Sequence, residues 1–326
     1  MVDFSGRWEG GLLALRRRTA SIGTDWGRWL LTFSLPDWIL VAYLVPIGLA
    51  VGMRSPRRWA DPLAMLPLFS ILFYMAWARA YHVRWNRNDR IRTLYHISGI
   101  PALALTYFQL RTIIPVVNPV EADAVLAAAD LRLFPVHPSI WFESFSSYFT
   151  VEWFSFFYQL YIYLGGAFLV TMVLFDRNRN RQGLFAVGIL LLMLGHHFYL
   201  FVPARGPWRF LEPLYAGDLP GGPIFHHVMA TQIHAGPGLD AFPSLHTAIT
   251  MFLTLFVRQH WPRFRWLGYF LASQIIFATM FLRFHYVVDV IAGFAFGLLV
   301  FSTTPSLLAW YQRRRAAAGL DAADPW

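Results

Sequence analysis

The stretch WLGYFLASQIIFATMFL, residues 266–282, carries no charged side chain and is closed by Arg263 and Arg265 on one side and Arg283 on the other. A membrane-spanning helix needs about 20 mostly apolar residues, and charged residues at its ends mark where hydrocarbon stops. The stretch therefore reads as a spanning helix over roughly 264–282. The same reading extends outward to 245–261 and 286–310, and then to 36–53, 62–81, 94–114, 151–175 and 183–203. The run at 36–53 is short and holds two prolines. The expected fold is all-α: a polytopic membrane helix bundle of about eight spans.

Composition agrees. Of 326 residues, 57% are hydrophobic and 14% charged, a membrane balance and not a soluble one. There is no cysteine, which excludes disulfides and thiol chemistry. A net charge of +9 would suggest nucleic acid in a soluble protein. Here every basic residue is an arginine, and the arginines cluster between apolar runs. An anionic membrane surface explains that better, so no nucleic-acid partner is expected. The first 35 residues hold Arg16-Arg17-Arg18 and several tryptophans but no apolar core of a signal peptide. They read as a cytosolic arm lying on the headgroups.

Basic residues also orient the bundle. With the N-terminus in the cytoplasm, eight spans return the C-terminus there. Most arginines then fall on that side, in the arm, in the segments around Arg79–Arg92, Arg177–Arg181 and Arg258–Arg265, and in Arg313-Arg314-Arg315. Arg54, Arg57 and Arg58 form the one discordant loop. The chain divides into an arm (1–35), accessory helices (36–120), a catalytic core (121–312) and a cytosolic tail (313–326). Two long stretches are expected outside. Residues 115–150 contain Ile140-Trp141-Phe142-Glu143-Ser144-Phe145, which suits a helix lying in the interface. Residues 204–244 are rich in Gly and Pro and read as an irregular loop. No internal repeat and no nucleotide-binding glycine loop is present.

Two segments carry chemistry. Ala241-Phe242-Pro243-Ser244-Leu245-His246 opens one span, and Arg283-Phe284-His285-Tyr286-Val287-Val288-Asp289 opens another. Both fall at the same face of the membrane, where polar groups are costly and usually functional. His285 and Asp289 are spaced i, i+4 and share a helix face. The carboxylate there can accept the Nδ1–H of the imidazole, leaving Nε2 as nucleophile or base. Ser244 is placed to cap the helix that His246 begins. Helix N-termini attract phosphate, and Arg205, Arg209 and Arg283 can grip its oxygens. These parts describe phosphoryl transfer through a covalent histidine: one His attacks, Asp orients it, and the other His protonates the leaving alkoxide.

Pro-Ser-Leu-His followed by His-x-x-x-Asp resembles the type 2 phosphatidic acid phosphatase superfamily, whose second motif is Pro-Ser-Gly-His and whose third ends in His-x-x-x-Asp. The chain looks closer to the inositol phosphorylceramide synthase branch, with Phe242 to His246, His285 to Asp289 and Pro207-Trp208 as the points of likeness. The resemblance covers roughly residues 125–310. It implies a nucleophilic His285, an orienting Asp289, a general acid His246, no metal and no other cofactor. It also implies membrane lipid substrates, a phospholipid donor with a lipid alcohol or water as acceptor, and a site on the extracytoplasmic face. In relatives an acidic residue stands near the position of Asp130. Two departures stand out. The superfamily's first motif, Lys-x6-Arg-Pro, is absent, and Thr279 occupies the place of the third motif's arginine. Arg205, Arg209 and Arg283 are therefore phosphate-binding candidates by position, and Ser244 is one as the cap of the helix start that His246 follows.

The best reading is an integral membrane phosphotransferase that moves a phosphoinositol-type head group to a lipid hydroxyl. The alternatives are a lipid phosphate or prenyl diphosphate phosphatase and, from another class, a lipid transporter or flippase. A transporter predicts paired broken helices in the two halves of the chain, which the sequence does not show. A metal-dependent hydrolase would use His226, His227 and His234, but no ligand spacing supports it, and solvated loop histidines fit better. His196 and His197 read either as cavity-lining or as satisfied bundle histidines.

Overall fold

Inside hydrocarbon there is no water for backbone N–H and C=O groups, so this chain must satisfy them within helices. The computed structural model describes residues 26–85, 89–234, 236 and 238–321, and it is an all-α polytopic bundle. In chain order the main helices are α1 (Leu35–Arg54), α2 (Pro62–Ala80), α3 (Asp89–Val117), α4 (Asp123–Leu133), α5 (Tyr148–Val170), α6 (Arg179–Met193), α7 (His196–Phe201), α8 (Pro223–His234), α9 (Leu245–His260), α10 (Arg265–Phe281) and α11 (Val287–Ala317). The arm arginines Arg7, Arg16, Arg17 and Arg18, together with Arg87, lie outside the described residues.

Among the described residues, six helical stretches are long and apolar enough to cross a membrane: Leu35–Arg54, Pro62–Arg84, Arg90–Val117, Tyr148–Phe175, Arg179–Phe201 and Val287–Ala317. The other two expected spans are α9 and α10, of 16 and 17 residues. Each covers about 25 Å at the helical rise, less than the ~30 Å hydrocarbon core. The turns that carry the site residues cut both short, Pro243-Ser244 ahead of α9 and Leu282-Arg283 after α10. The first run forms a full helix that carries Pro46 in its interior; Ser34 and Asp37 make a reciprocal capping box at its start, and Pro36 sits in the first turn, where its missing N–H is harmless.

Three stretches depart from their expected form. The loop 204–244 is not irregular throughout, since it contains α8. The Glu152 carboxylate of α5 holds that helix's start, accepting the N–H groups of Gly222, Ile224 and Phe225 at 2.9, 3.2 and 2.8 Å. The last span continues past residue 310 to Ala317. Arg315 is buried there and donates to the Phe33 carbonyl at 3.0 Å, so the start of the expected tail is packed helix. The aromatic stretch near 140 forms only short helical turns, Pro138–Trp141 and Phe142–Phe145.

The core that places the site is the α9–α11 pair. A Cβ at Gly293 would stand 2.2 Å from the Ser244 carbonyl oxygen, and one at Gly297 would stand 2.5 Å from that of Ala248. Small residues four apart let the two backbones touch, the usual device for close helix contact in membranes. On the far side, α1–α3 enclose Asp37, which accepts Tyr74 and Tyr95 hydroxyls at 2.9 and 2.6 Å. α1 meets α6–α7 through a 2.9 Å hydrogen bond between the Tyr43 hydroxyl and His196 Nδ1.

Candidate active site

His285 lies in the turn between α10 and α11 and is buried. Its Nδ1 is 2.8 Å from the carbonyl oxygen of Ala241. A carbonyl can only accept, so Nδ1 carries the proton and Nε2 keeps its lone pair. The nearest Asp289 oxygen is 3.6 Å from Nδ1, an ion-pair distance and too long for a hydrogen bond. Asp289 Oδ2 instead accepts the N–H of Tyr286 at 2.9 Å, closing on its own helix start, and Oδ1 has no hydrogen-bond partner among the described residues. The i, i+4 spacing brings the pair together, but a backbone carbonyl makes the bond expected of the carboxylate.

His246 sits in the first turn of α9, behind Ser244 as N-cap. The buried Ser244 hydroxyl accepts from the Thr247 N–H at 3.3 Å and the Thr247 hydroxyl at 3.0 Å. The Ser244 N–H donates to the Asp289 carbonyl at 3.1 Å, tying one motif to the other. The His246 ring stacks on Tyr158 at 4.8 Å and lies 4.5 Å from Tyr161, centroid to centroid. Its centroid is 5.8 Å from that of His285. The two histidines share a small pocket with Asp240, Ala241, Phe284, Trp208 and Arg205.

Carboxylates that the motifs did not single out hold this frame. Asp123 accepts the N–H groups of Arg205 and Gly206 at 2.8 and 2.9 Å and the Tyr286 hydroxyl at 2.9 Å. Asp130 accepts the N–H groups of Val287 and Val288 at 3.0 and 2.9 Å. Burial raises both carboxyls above the usual range. With Asp289 on Tyr286, the N–H groups of Tyr286, Val287 and Val288 at the start of α11 are taken by protein carboxylates. Gly206 has φ +86°, and a Cβ there would meet the Phe284 carbonyl oxygen at 2.2 Å, so only glycine lets this loop pass. Asp240 lines the pocket beside both histidines; burial raises its carboxyl, with His285 opposing. No motif spacing points to these residues. Their signal is an acidic residue in an otherwise apolar or glycine-rich stretch, joined at Asp130 by the resemblance to relatives.

The arginines divide. Arg205 lines the pocket, half-exposed, with its guanidinium held in a bidentate pair by Glu121 at 2.6 and 2.8 Å. Arg209 lies over the Trp208 ring at 4.1 Å and is exposed. Arg283, with φ +67°, is buried and donates to Glu143 and to the Gly217 carbonyl at 3.0 Å each, above the Tyr215 ring. Neither Arg209 nor Arg283 lines the pocket. His196 lines a larger cavity and is bonded to Tyr43, while His226, His227 and His234 are exposed. Among the described residues no three His, Asp or Glu side chains are grouped to hold a metal ion.

The profile of the PAP2 superfamily matches residues 124–303, more than half of the chain, and the chain belongs to that superfamily. It is 41% identical over 64 residues to inositol phosphorylceramide synthase of Candida albicans (strain SC5314 / ATCC MYA-2876). That match covers 20% of this chain and 14% of the relative, so the chain spans only a small part of that protein's length. No solved structure matches the chain.

Proposed function

We propose that this member of the PAP2 superfamily transfers a phosphoinositol-type head group from a phospholipid to the hydroxyl of a second lipid, through a phosphohistidine at His285. The observation that carries the reading is the 2.8 Å contact of His285 Nδ1 with the Ala241 carbonyl, beside His246 in one pocket. It leaves Nε2 as the free lone pair. Nε2 attacks phosphorus and the bond to the glycerol oxygen breaks. His246 gives its proton to the departing alkoxide, and diacylglycerol leaves. The acceptor hydroxyl then loses its proton to His246 and attacks phosphorus, and the P–N bond breaks. Asp289 steadies the imidazolium-like ring from 3.6 Å. Arg205 is the cation best placed to meet the phosphate, by exchanging part of its pair with Glu121. The site faces the extracytoplasmic side, a reading that rests on the arginine distribution, with both termini cytoplasmic. Transfer, as opposed to hydrolysis, is supported by the Pro-Ser-Leu-His motif and by the name of the matching Candida protein.

The test uses purified protein in detergent with head-group-labelled phosphatidylinositol and candidate lipid alcohols, alongside phosphatidate and a prenyl diphosphate. Label moving to an acceptor lipid, lost in His285→Ala, supports the proposal. Free phosphate released from phosphatidate or the prenyl diphosphate without transfer makes the protein a lipid phosphatase. Lipid movement that survives His285→Ala makes it a carrier.

A further inference from the structure

A cavity of about 620 Å³ opens beside the histidine pair, sharing His246 and Asp240 with the smaller pocket. It does not end there. Its wall on α5 and on the helical turn that continues it, Thr171–Phe175, extends from Tyr158 to Val173, about 22 Å along the bundle at the helical rise. That is most of the ~30 Å thickness of a hydrocarbon core. On α3 the lining residues include Tyr107, Ala104, Ile100 and His96, successive turns of one helix face. The walls are overwhelmingly aliphatic and aromatic. A long, apolar space running along the helices from a polar reacting end fits a hydrocarbon chain and gives a polar ligand little to bond. Much of one wall comes from α1–α3, which lie outside residues 124–303 matched by the superfamily profile.

We propose that this cavity is a sleeve for one hydrocarbon chain of the lipid substrate, and that α3, facing α5 and α6, sets the chain length accepted. The proposal rests on the reading of His246 and His285 as the reacting end. Ala104 on α3 and Ala186 on α6 line the sleeve between its ends. A larger side chain at either fills the bore and leaves the histidine pair untouched.

The experiment compares wild type with Ala104→Phe and Ala186→Phe, each checked for a monodisperse folded peak. Transfer is measured with dioctanoyl and dipalmitoyl donors against a short-chain acceptor, and then with short- and long-chain acceptors against the dioctanoyl donor. Binding of fluorescent long-chain and short-chain phosphatidate is measured in parallel. Each variant is expected to keep short-chain kcat/KM and affinity within about twofold. Each is expected to lose at least about tenfold for the long chain, the worth of roughly two buried methylenes. The arm showing the loss identifies the lipid whose chain occupies the sleeve. Equal losses for short and long chains, or none, in whichever variant folds would overturn the sleeve. Selective loss of long-chain binding without turnover of any lipid would keep the sleeve and retire the transferase reading. Turnover without chain discrimination would do the reverse.

Discussion

His285 Nδ1 stands 2.8 Å from the Ala241 carbonyl and 3.6 Å from Asp289 Oδ2. The backbone, not the carboxylate, therefore fixes the imidazole tautomer. Where an aspartate alone holds the tautomer of a catalytic histidine, replacing it with asparagine costs about 10⁴ in kcat. Here Asp289→Asn is expected to cost only about 10², the share of electrostatic support to the charged ring, while His285→Ala falls to background. Single-turnover rates of phosphoenzyme formation decide it. A loss in Asp289→Asn as deep as that in His285→Ala would mean that the carboxylate accepts the Nδ1 proton during turnover.

The sequence marked His246, His285, Asp289 and Ser244 because each is a polar letter at the mouth of an apolar run. The helices were legible for the complementary reason, since uninterrupted apolar runs have one solution in hydrocarbon. What stayed hidden is of two kinds. The Ala241 carbonyl is a backbone atom, and no side-chain letter announces it. Asp123 and Glu152 act across 70 or more positions of chain on backbone N–H groups that any sequence possesses, and Asp130, marked only by the resemblance to relatives, acts in the same way. Arg283 was visible as a cation, but its burial against Glu143 depends on a loop whose path the sequence did not specify. α8 was hidden by the glycines and prolines that flank it.

His246 is expected to matter in proportion to how poor the leaving group is. A general acid contributes about 10²–10⁴ when an alkoxide must depart and little when the leaving group is already stable as an anion. His246→Ala should therefore lose about 10³ with phosphatidylinositol and less than about tenfold with a nitrophenyl phosphodiester. Equal losses on both substrates would give His246 a role in binding instead of proton transfer.

Gly293 holds the α9–α11 contact closed, since its Cβ would stand 2.2 Å from the Ser244 carbonyl. Backbone cannot rotate aside as a side chain can. Gly293→Ala should cost about 1–3 kcal/mol of stability, as overpacked sites do, and should lower kcat by displacing His246 from His285. Gly268→Ala is the control, because its nearest neighbour would be an ordinary 3.8 Å contact. Thermal unfolding in detergent should separate the two, and equal melting temperatures would show that the helices part without strain.

Arg283 tests whether a buried cation at the edge of the site serves structure or phosphate. Its pair with Glu143 at 3.0 Å predicts that Arg283→Gln and Glu143→Gln each destabilise, and that the double variant loses less than the sum, with a coupling of about 1–3 kcal/mol. The KM for a phosphorylated lipid should change together in both single variants. A KM rise confined to Arg283→Gln would instead place its guanidinium on the substrate.

Asp130 gives a pH signature with a definite sign. Burial raises its carboxyl, the Val287 and Val288 N–H groups opposing without overcoming it. An acid whose folded pKa exceeds its unfolded value of about 3.9 keeps its proton longer in the folded state. The folded protein then binds more protons than the unfolded one, and stability falls as pH rises from the ordinary carboxylate range through the raised value. Asp130→Asn removes that slope. The melting temperature of Asp130→Asn minus that of wild type is therefore expected to increase as pH is raised from about 4 toward neutrality. A difference that shrinks over the same range would show that the two N–H groups outweigh burial and hold Asp130 ionised.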